Sequence, residues 1–171
     1  MDSYLITGGG RSGKSRYALT LAKSARAPFY IATGWAGDEE MTQRIEKHKQ
    51  ERGPHWTTIE ERFELAEAVL SARKQRADFI VVDCLTLWVS NMLFDKKDEF
   101  EHKFQKLIST IPVIEAPLVF VSNEVGSGIV PGDPVSREFR DLAGFVNQRI
   151  AAAVKNVILT VAGIPLKIKP Q

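Results

Sequence analysis

Cysteine is nearly missing from this chain: Cys84 is the single one in 171 residues. That excludes an intramolecular disulfide and fits a reducing compartment. Cys84 follows an apolar strand and reads as a buried, inert thiol. No apolar run approaches the roughly 20 residues needed to span a membrane. No charged-then-apolar leader precedes the first strand, so a cytoplasmic location is expected. Charge of one sign does not accumulate either: 23 Lys and Arg stand against 21 Asp and Glu, a formal net charge of +2. The basic residues are scattered rather than gathered in a stripe, which argues against nucleic acid as a partner. Repeats, low-complexity tracts and linkers are also missing, so one domain over 1–171 is expected, long enough for a substantial core.

What is present alternates between strand and helix signals, the pattern of an α/β fold with a mostly parallel central sheet. Strands are expected at 3–7, 28–32, 56–59, 79–83 and 117–121. Helices are expected at 16–25, from Asp38 to Gly53-Pro54, and at 63–73, 85–94, 99–109 and 137–154. The last helix carries an apolar stripe of Phe139, Leu142, Ala143, Val146 and Ile150. A C-terminal hairpin is expected from 157–161 and 166–168, turning at Gly163-Ile164-Pro165. The charged run 95–106 reads as a solvated helix face and loop.

Gly8-Gly9-Gly10-Arg11-Ser12-Gly13-Lys14-Ser15 fits the phosphate-loop pattern G-x-x-x-x-G-K-[ST], between an apolar strand and a helix. Glycines let the backbone fold its N–H groups around a phosphate, and the helix adds its positive end. Lys14 then reaches the terminal phosphates and the Ser15 hydroxyl ligates Mg²⁺. Nucleoside triphosphate binding is the expectation. Asp83, ending four apolar residues, reads as the partner carboxylate for the metal, with a plain helix cap as the alternative. Glu124, ending the 117–122 strand, is a weaker candidate for handling substrate or water.

The helix from Asp38 sets Arg44, His48 and Arg52 four residues apart, on one side. A histidine among cations keeps a free lone pair and could attack phosphorus. It could equally border an apolar face, since Met41 and Ile45 lie one or two turns before it. His55 and His102 read as solvated or locally hydrogen-bonded.

These residues together resemble the bifunctional adenosylcobinamide kinase / adenosylcobinamide-phosphate guanylyltransferase family of cobalamin biosynthesis. The resemblance runs from the phosphate loop with Arg16 through Tyr30-Ile31-Ala32-Thr33 and Arg44-Ile45 with His48-Lys49. It continues at His55-Trp56, Asp83-Cys84-Leu85-Thr86, Asn123-Glu124-Val125-Gly126 with Gly128-Ile129-Val130-Pro131, and Gly163-Ile164-Pro165-Leu166-Lys167. It covers nearly the whole chain; residues 95–106 match none of its motifs.

The resemblance implies a RecA-like P-loop fold, a homotrimer, and a histidine, His48, that takes GMP as a phosphoramidate. It places GTP contacts on Gly8 to Ser15, on Ala32, Thr33 and Gly34, on Lys49, Gln50, Glu51 and Arg52, on Glu60 and on Asp83. It implies Mg²⁺ at Ser15 and Asp83, with ATP or GTP and a corrinoid as substrates. A single-function P-loop kinase and a RecA-like ATPase or regulatory module are the competing readings.

Overall fold

The computed structural model describes residues 1–35, 39, 43, 46, 49, 50 and 52–170. Within them the chain runs β1 (Ser3–Gly8), α1 (Lys14–Leu21), β2 (Pro28–Ala32), β3 (Thr57–Glu60), α2 (Leu65–Lys74) and β4 (Phe79–Asp83). It continues with α3 (Leu85–Asp95), α4 (Phe100–Thr110), β5 (Leu118–Asn123), α5 (Pro134–Ala153), β6 (Asn156–Val161) and β7 (Ile164–Lys169). All seven strands form one sheet in the order β3-β2-β4-β5-β1-β6-β7. Only the last pair, β6 with β7, is antiparallel.

The central strands are continuous apolar runs because both of their faces are covered. β4 and β5 are buried along their length except at their last residues, Asp83 and Asn123. Leu5, Ile80, Val82, Leu118 and Phe120 pack on the side of α2 to α5. Ile6, Val81, Val119 and Val121 face the other way, against Ala18 and Ala22 of α1 and its C-terminal end. Polar strand ends therefore collect at one edge of the sheet. Among the described residues, no helix is long and apolar enough to cross a membrane.

Three local expectations change. The charged run is not only a solvated face: α4 turns Phe100, Phe104 and Leu107 inward, while Lys103 pairs with Glu64 and Glu99. α5 starts three residues earlier than expected. Asp133 Oδ1 accepts from Ser136 N at 2.8 Å and Pro134 occupies the first turn, where its missing N–H costs nothing. Ile164 and Pro165 belong to β7, because Ala162 and Gly163 with φ of 50° and 83° reverse the chain in two residues. Pro165 is tolerated because β7 is an edge strand.

Trp88 belongs to the core. It is fully buried, stacks near Phe100 and Phe104 at centroid distances of 5.6 and 6.2 Å, and donates Nε1–H to the Phe63 carbonyl at 2.9 Å. Trp88→Ala is expected to cost about 4 kcal/mol of unfolding free energy from cavity formation, read from urea unfolding of the parent and the variant. A loss below about 1 kcal/mol would contradict this packing.

Candidate active site

β1 ends at Gly8, and the backbone then turns through Gly13, whose φ of 99° is a conformation that side chains disfavour. α1 opens at Lys14 with no side chain capping its N-terminus. Lys14 is buried and folds back over the loop, donating from Nζ to the Gly8 carbonyl at 3.0 Å and the Gly9 carbonyl at 2.6 Å. Burial pulls its ammonium below the usual lysine value, and the nearby Asp83 charge works against that. An ammonium held on two carbonyls can exchange them for phosphate oxygens through charge-assisted bonds.

Asp83 lies two strands away, because β5 runs between β1 and β4. It does not cap the following helix: Cys84 is the N-cap of α3, its sulfur accepting from Leu87 N at 3.4 Å. Tyr30 Oη instead donates to Asp83 Oδ2 at 2.8 Å, across the β2–β4 pair in which Ala32 sits opposite Asp83. Burial first, then the Asp83 charge and this hydrogen bond, hold the phenol well above its usual value; Arg52 opposes them. The Arg52 guanidinium lies 3.7 Å from the Tyr30 ring centroid and reaches the Thr58 hydroxyl at 3.3 Å. Carboxylate, phenol and guanidinium thus form one network.

Thr33 plays a different part from its neighbours Ala32 and Gly34. It is fully buried; its hydroxyl donates to the Cys84 carbonyl at 2.7 Å and accepts from Cys84 N at 2.8 Å, tying the ends of β2 and β4 together. The Cys84 thiol itself is pushed up to about 12 by burial and then by Asp83, as expected for an inert group. Glu60 ends β3 and pairs with Lys49 at 3.1 Å. Glu124 takes the N–H of Gly126 at 2.6 Å, which occupies one of its oxygens within its own turn. His55 and His102 are exposed.

An open cleft of about 1420 Å³ joins these elements; Gly10, Arg11, Ser12, Gly13, Lys14 and Ser15 line it from one side, and Ala32, Gly34, Lys49, Arg52 and Asp83 from the other. Gly8 and Gly9 contribute carbonyls beneath Lys14. Gln50 is exposed and helical, as are Glu39, Gln43, Glu46 and Lys49. His48, Arg44 and Glu51 lie outside the described residues. Tyr30, Leu87, Asn123, Ala162 and Gly163 also border the cleft. Tyr30, Asn123 and Gly163 lie in stretches that carry the family resemblance but receive no role from it, and Tyr30 reads as strand core; Leu87 and Ala162 fall in no motif.

Hard oxygen donors, the Ser15 hydroxyl and the Asp83 carboxylate, face the cleft, a set that suits a cation shared with phosphate rather than one caged by protein. Among the described residues no three His, Cys, Asp or Glu side chains gather to hold a metal ion.

Residues 4–168 match the family model described as cobinamide kinase / cobinamide phosphate guanyltransferase. The bifunctional adenosylcobalamin biosynthesis protein CobU of Escherichia coli (strain K12) is 41% identical over 179 residues, covering 96% of this chain and 98% of that protein. The corresponding CobP of Pseudomonas aeruginosa is 42% identical over 169 residues, covering 98% and 97%. Among solved structures, a KaiC-like protein from Pyrococcus horikoshii OT3 aligns with a TM-score of 0.53 at 13% identity, over 92% of this chain and 70% of that one. An ATPase from the type III secretion system of pathogenic bacteria aligns with a TM-score of 0.54 at 14% identity, over 92% and 50%. At such identities the likeness shows the fold alone, that of RecA-like P-loop ATPases.

Proposed function

The chain belongs to the cobinamide kinase / cobinamide phosphate guanyltransferase family, and from that premise we propose that one cleft in one domain, residues 1–171, carries both reactions. The convergence of the phosphate loop, Asp83 and the Tyr30–Arg52 pair on a single open cleft carries this reading. In the kinase step, the hydroxyl of the aminopropanol arm of adenosylcobinamide attacks the γ-phosphorus of ATP or GTP. The bond from γ-phosphorus to the bridging oxygen breaks, and the nucleoside diphosphate leaves. Lys14 and the loop N–H groups receive the charge that builds on the phosphate oxygens. Mg²⁺, when bound, neutralises further charge there, and Ser15 and Asp83 are the residues that fit it.

In the transferase step, a ring nitrogen of His48 attacks the α-phosphorus of GTP and pyrophosphate leaves. A phosphate oxygen of adenosylcobinamide phosphate then attacks the same phosphorus. The P–N bond breaks, freeing His48 and yielding adenosylcobinamide-GDP. Gly8 to Ser15, Ala32 to Gly34, Lys49 to Arg52, Glu60 and Asp83 form the nucleotide-binding set of this reading, although Thr33 contributes through the backbone it ties. A cytoplasmic homotrimer belongs to the same reading; exposed Val161, Ile164, Leu166 and Ile168 on the terminal hairpin are apolar surface consistent with assembly.

The test supplies adenosylcobinamide, Mg²⁺ and GTP labelled separately at the α- and γ-phosphates. The γ-label is expected in adenosylcobinamide phosphate, and the α-label first on the protein and then in adenosylcobinamide-GDP. Label in the first product alone would leave a single-function kinase; free phosphate alone would leave an ATPase.

Tyr30 offers a narrower check. Its hydrogen bond orients the Asp83 carboxylate, so Tyr30→Phe is expected to lower kcat for phosphorylation about tenfold, the worth of one hydrogen bond to a charged group. Unchanged kcat across a Mg²⁺ titration would remove Tyr30 from the machinery.

A further inference from the structure

The phosphate loop is held from behind by the far end of the chain. Thr160, near the end of β6, is buried, and its Oγ1 lies 2.7 Å from Ser12 Oγ. Thr160 Oγ1 also donates to the Thr7 carbonyl at 3.3 Å. With that proton committed, the Ser12 hydroxyl donates to Thr160, and the hydroxyls form a chain from the loop into β1. One turn further, Gly163 N–H donates to the Ser12 carbonyl at 3.0 Å. Both polar atoms of Ser12 outside its own N–H therefore find their partners on the hairpin.

The fit leaves no slack. A Cβ at Gly8 would meet the Thr160 carbonyl and approach Ser12 Oγ to 2.7 Å, and one at Gly13 would come within 3.2 Å of the Gly163 Cα. β6 can reach this position because it pairs in parallel with β1, Leu159 opposite Thr7. The antiparallel return of β7 brings Ala162 and Gly163 to the cleft wall.

We propose that Thr160 is a positioning residue for the nucleotide: through Ser12 it fixes the phosphate-loop backbone in its phosphate-receiving shape, with the Gly163 N–H as the second fastening. The inference rests on the reading of the loop as the nucleotide site. A loop whose N–H groups are already aimed binds phosphate without first losing the entropy of ordering itself. Loss of the fastening therefore weakens binding in proportion to the population of misaligned loops.

The experiment titrates the full chain with Mg²⁺ and α,β-methylene-GTP, which cannot release pyrophosphate, while melting of the nucleotide-free protein is followed in parallel. Thr160→Val keeps the volume and removes the hydroxyl; it is expected to raise Kd about tenfold. Thr160→Ser restores the hydroxyl and is expected to bind within twofold of the parent. Ser12→Ala breaks the same bond from the loop side, so the Ser12→Ala/Thr160→Val double variant is expected to bind no more weakly than the poorer single one. Binding by Thr160→Val within twofold of the parent, with or without a lower melting temperature, overturns the proposal. So does a serine variant as weak as the valine one, or additive losses in the double variant. If Thr160→Val does not fold, Ser12→Ala decides: unchanged Kd overturns the proposal. Failure of the parent itself to bind the analogue would instead overturn the nucleotide-site reading.

Discussion

Lys14→Ala is expected to reduce adenosylcobinamide phosphorylation about a thousandfold, the upper part of the range for removing one preorganised charge donor. The side chain is buried, yet among the described residues its ammonium hydrogen-bonds to the Gly8 and Gly9 carbonyls alone, 3.0 and 2.6 Å away, within the proposed phosphate-holding loop. Moving it onto a phosphate therefore needs a short swing and no rearrangement of the core. Alanine leaves the Gly8 carbonyl with the Glu124 N–H at 3.0 Å and the Gly9 carbonyl with the Ser12 N–H at 3.3 Å, so the fold should survive. The comparison is kcat/KM for phosphorylation in the parent, Lys14→Ala and Lys14→Arg. Arginine keeps the charge but not the compact head that fits between two carbonyls, and is expected to recover only a minor part. Near-full activity in Lys14→Ala would show that phosphate is received elsewhere.

His48→Ala is expected to abolish covalent GMP and to lower guanylyl transfer by at least about a thousandfold, as for loss of a nucleophile. Phosphorylation should persist at a substantial rate, since in the proposed mechanism that step uses the loop and Asp83 but no imidazole. The measurement is retention of α-labelled GMP on denatured protein, acid-labile and alkali-stable as a phosphoramidate is, beside the yield of adenosylcobinamide phosphate. Full labelling of His48→Ala would move the nucleophile to another residue. Equal loss of both activities would indicate a structural role for the imidazole.

Much of this protein is local and so could be read from order in the chain. The apolar runs of β4 and β5, the phosphate loop between β1 and α1, and the stripe of Ala143, Val146 and Ile150 on α5 each depend on neighbours a few residues away. The boundaries read less well, and for physical reasons. Pro165 looks like a turn residue until β7 is known to be an edge strand, where a missing N–H goes unnoticed. Phe100 and Phe104 sit in a run dominated by charge, and their packing on Trp88, with Phe104 also against Phe145, explains why that run is amphipathic.

By itself, the order of residues determined the strand–helix alternation, the phosphate loop, the carboxylate at the end of β4 and the family motifs, because each is written in contiguous residues with a fixed period or spacing. Tertiary structure alone decided that Tyr30 donates to Asp83 across 53 positions and that Thr160 meets Ser12 across 148. Those contacts are made by parallel pairing of β2 with β4 and of β1 with β6. Parallel neighbours are joined by long crossovers, so which side chains meet at the sheet edge depends on strand order and register, quantities that exist only once the whole sheet has formed.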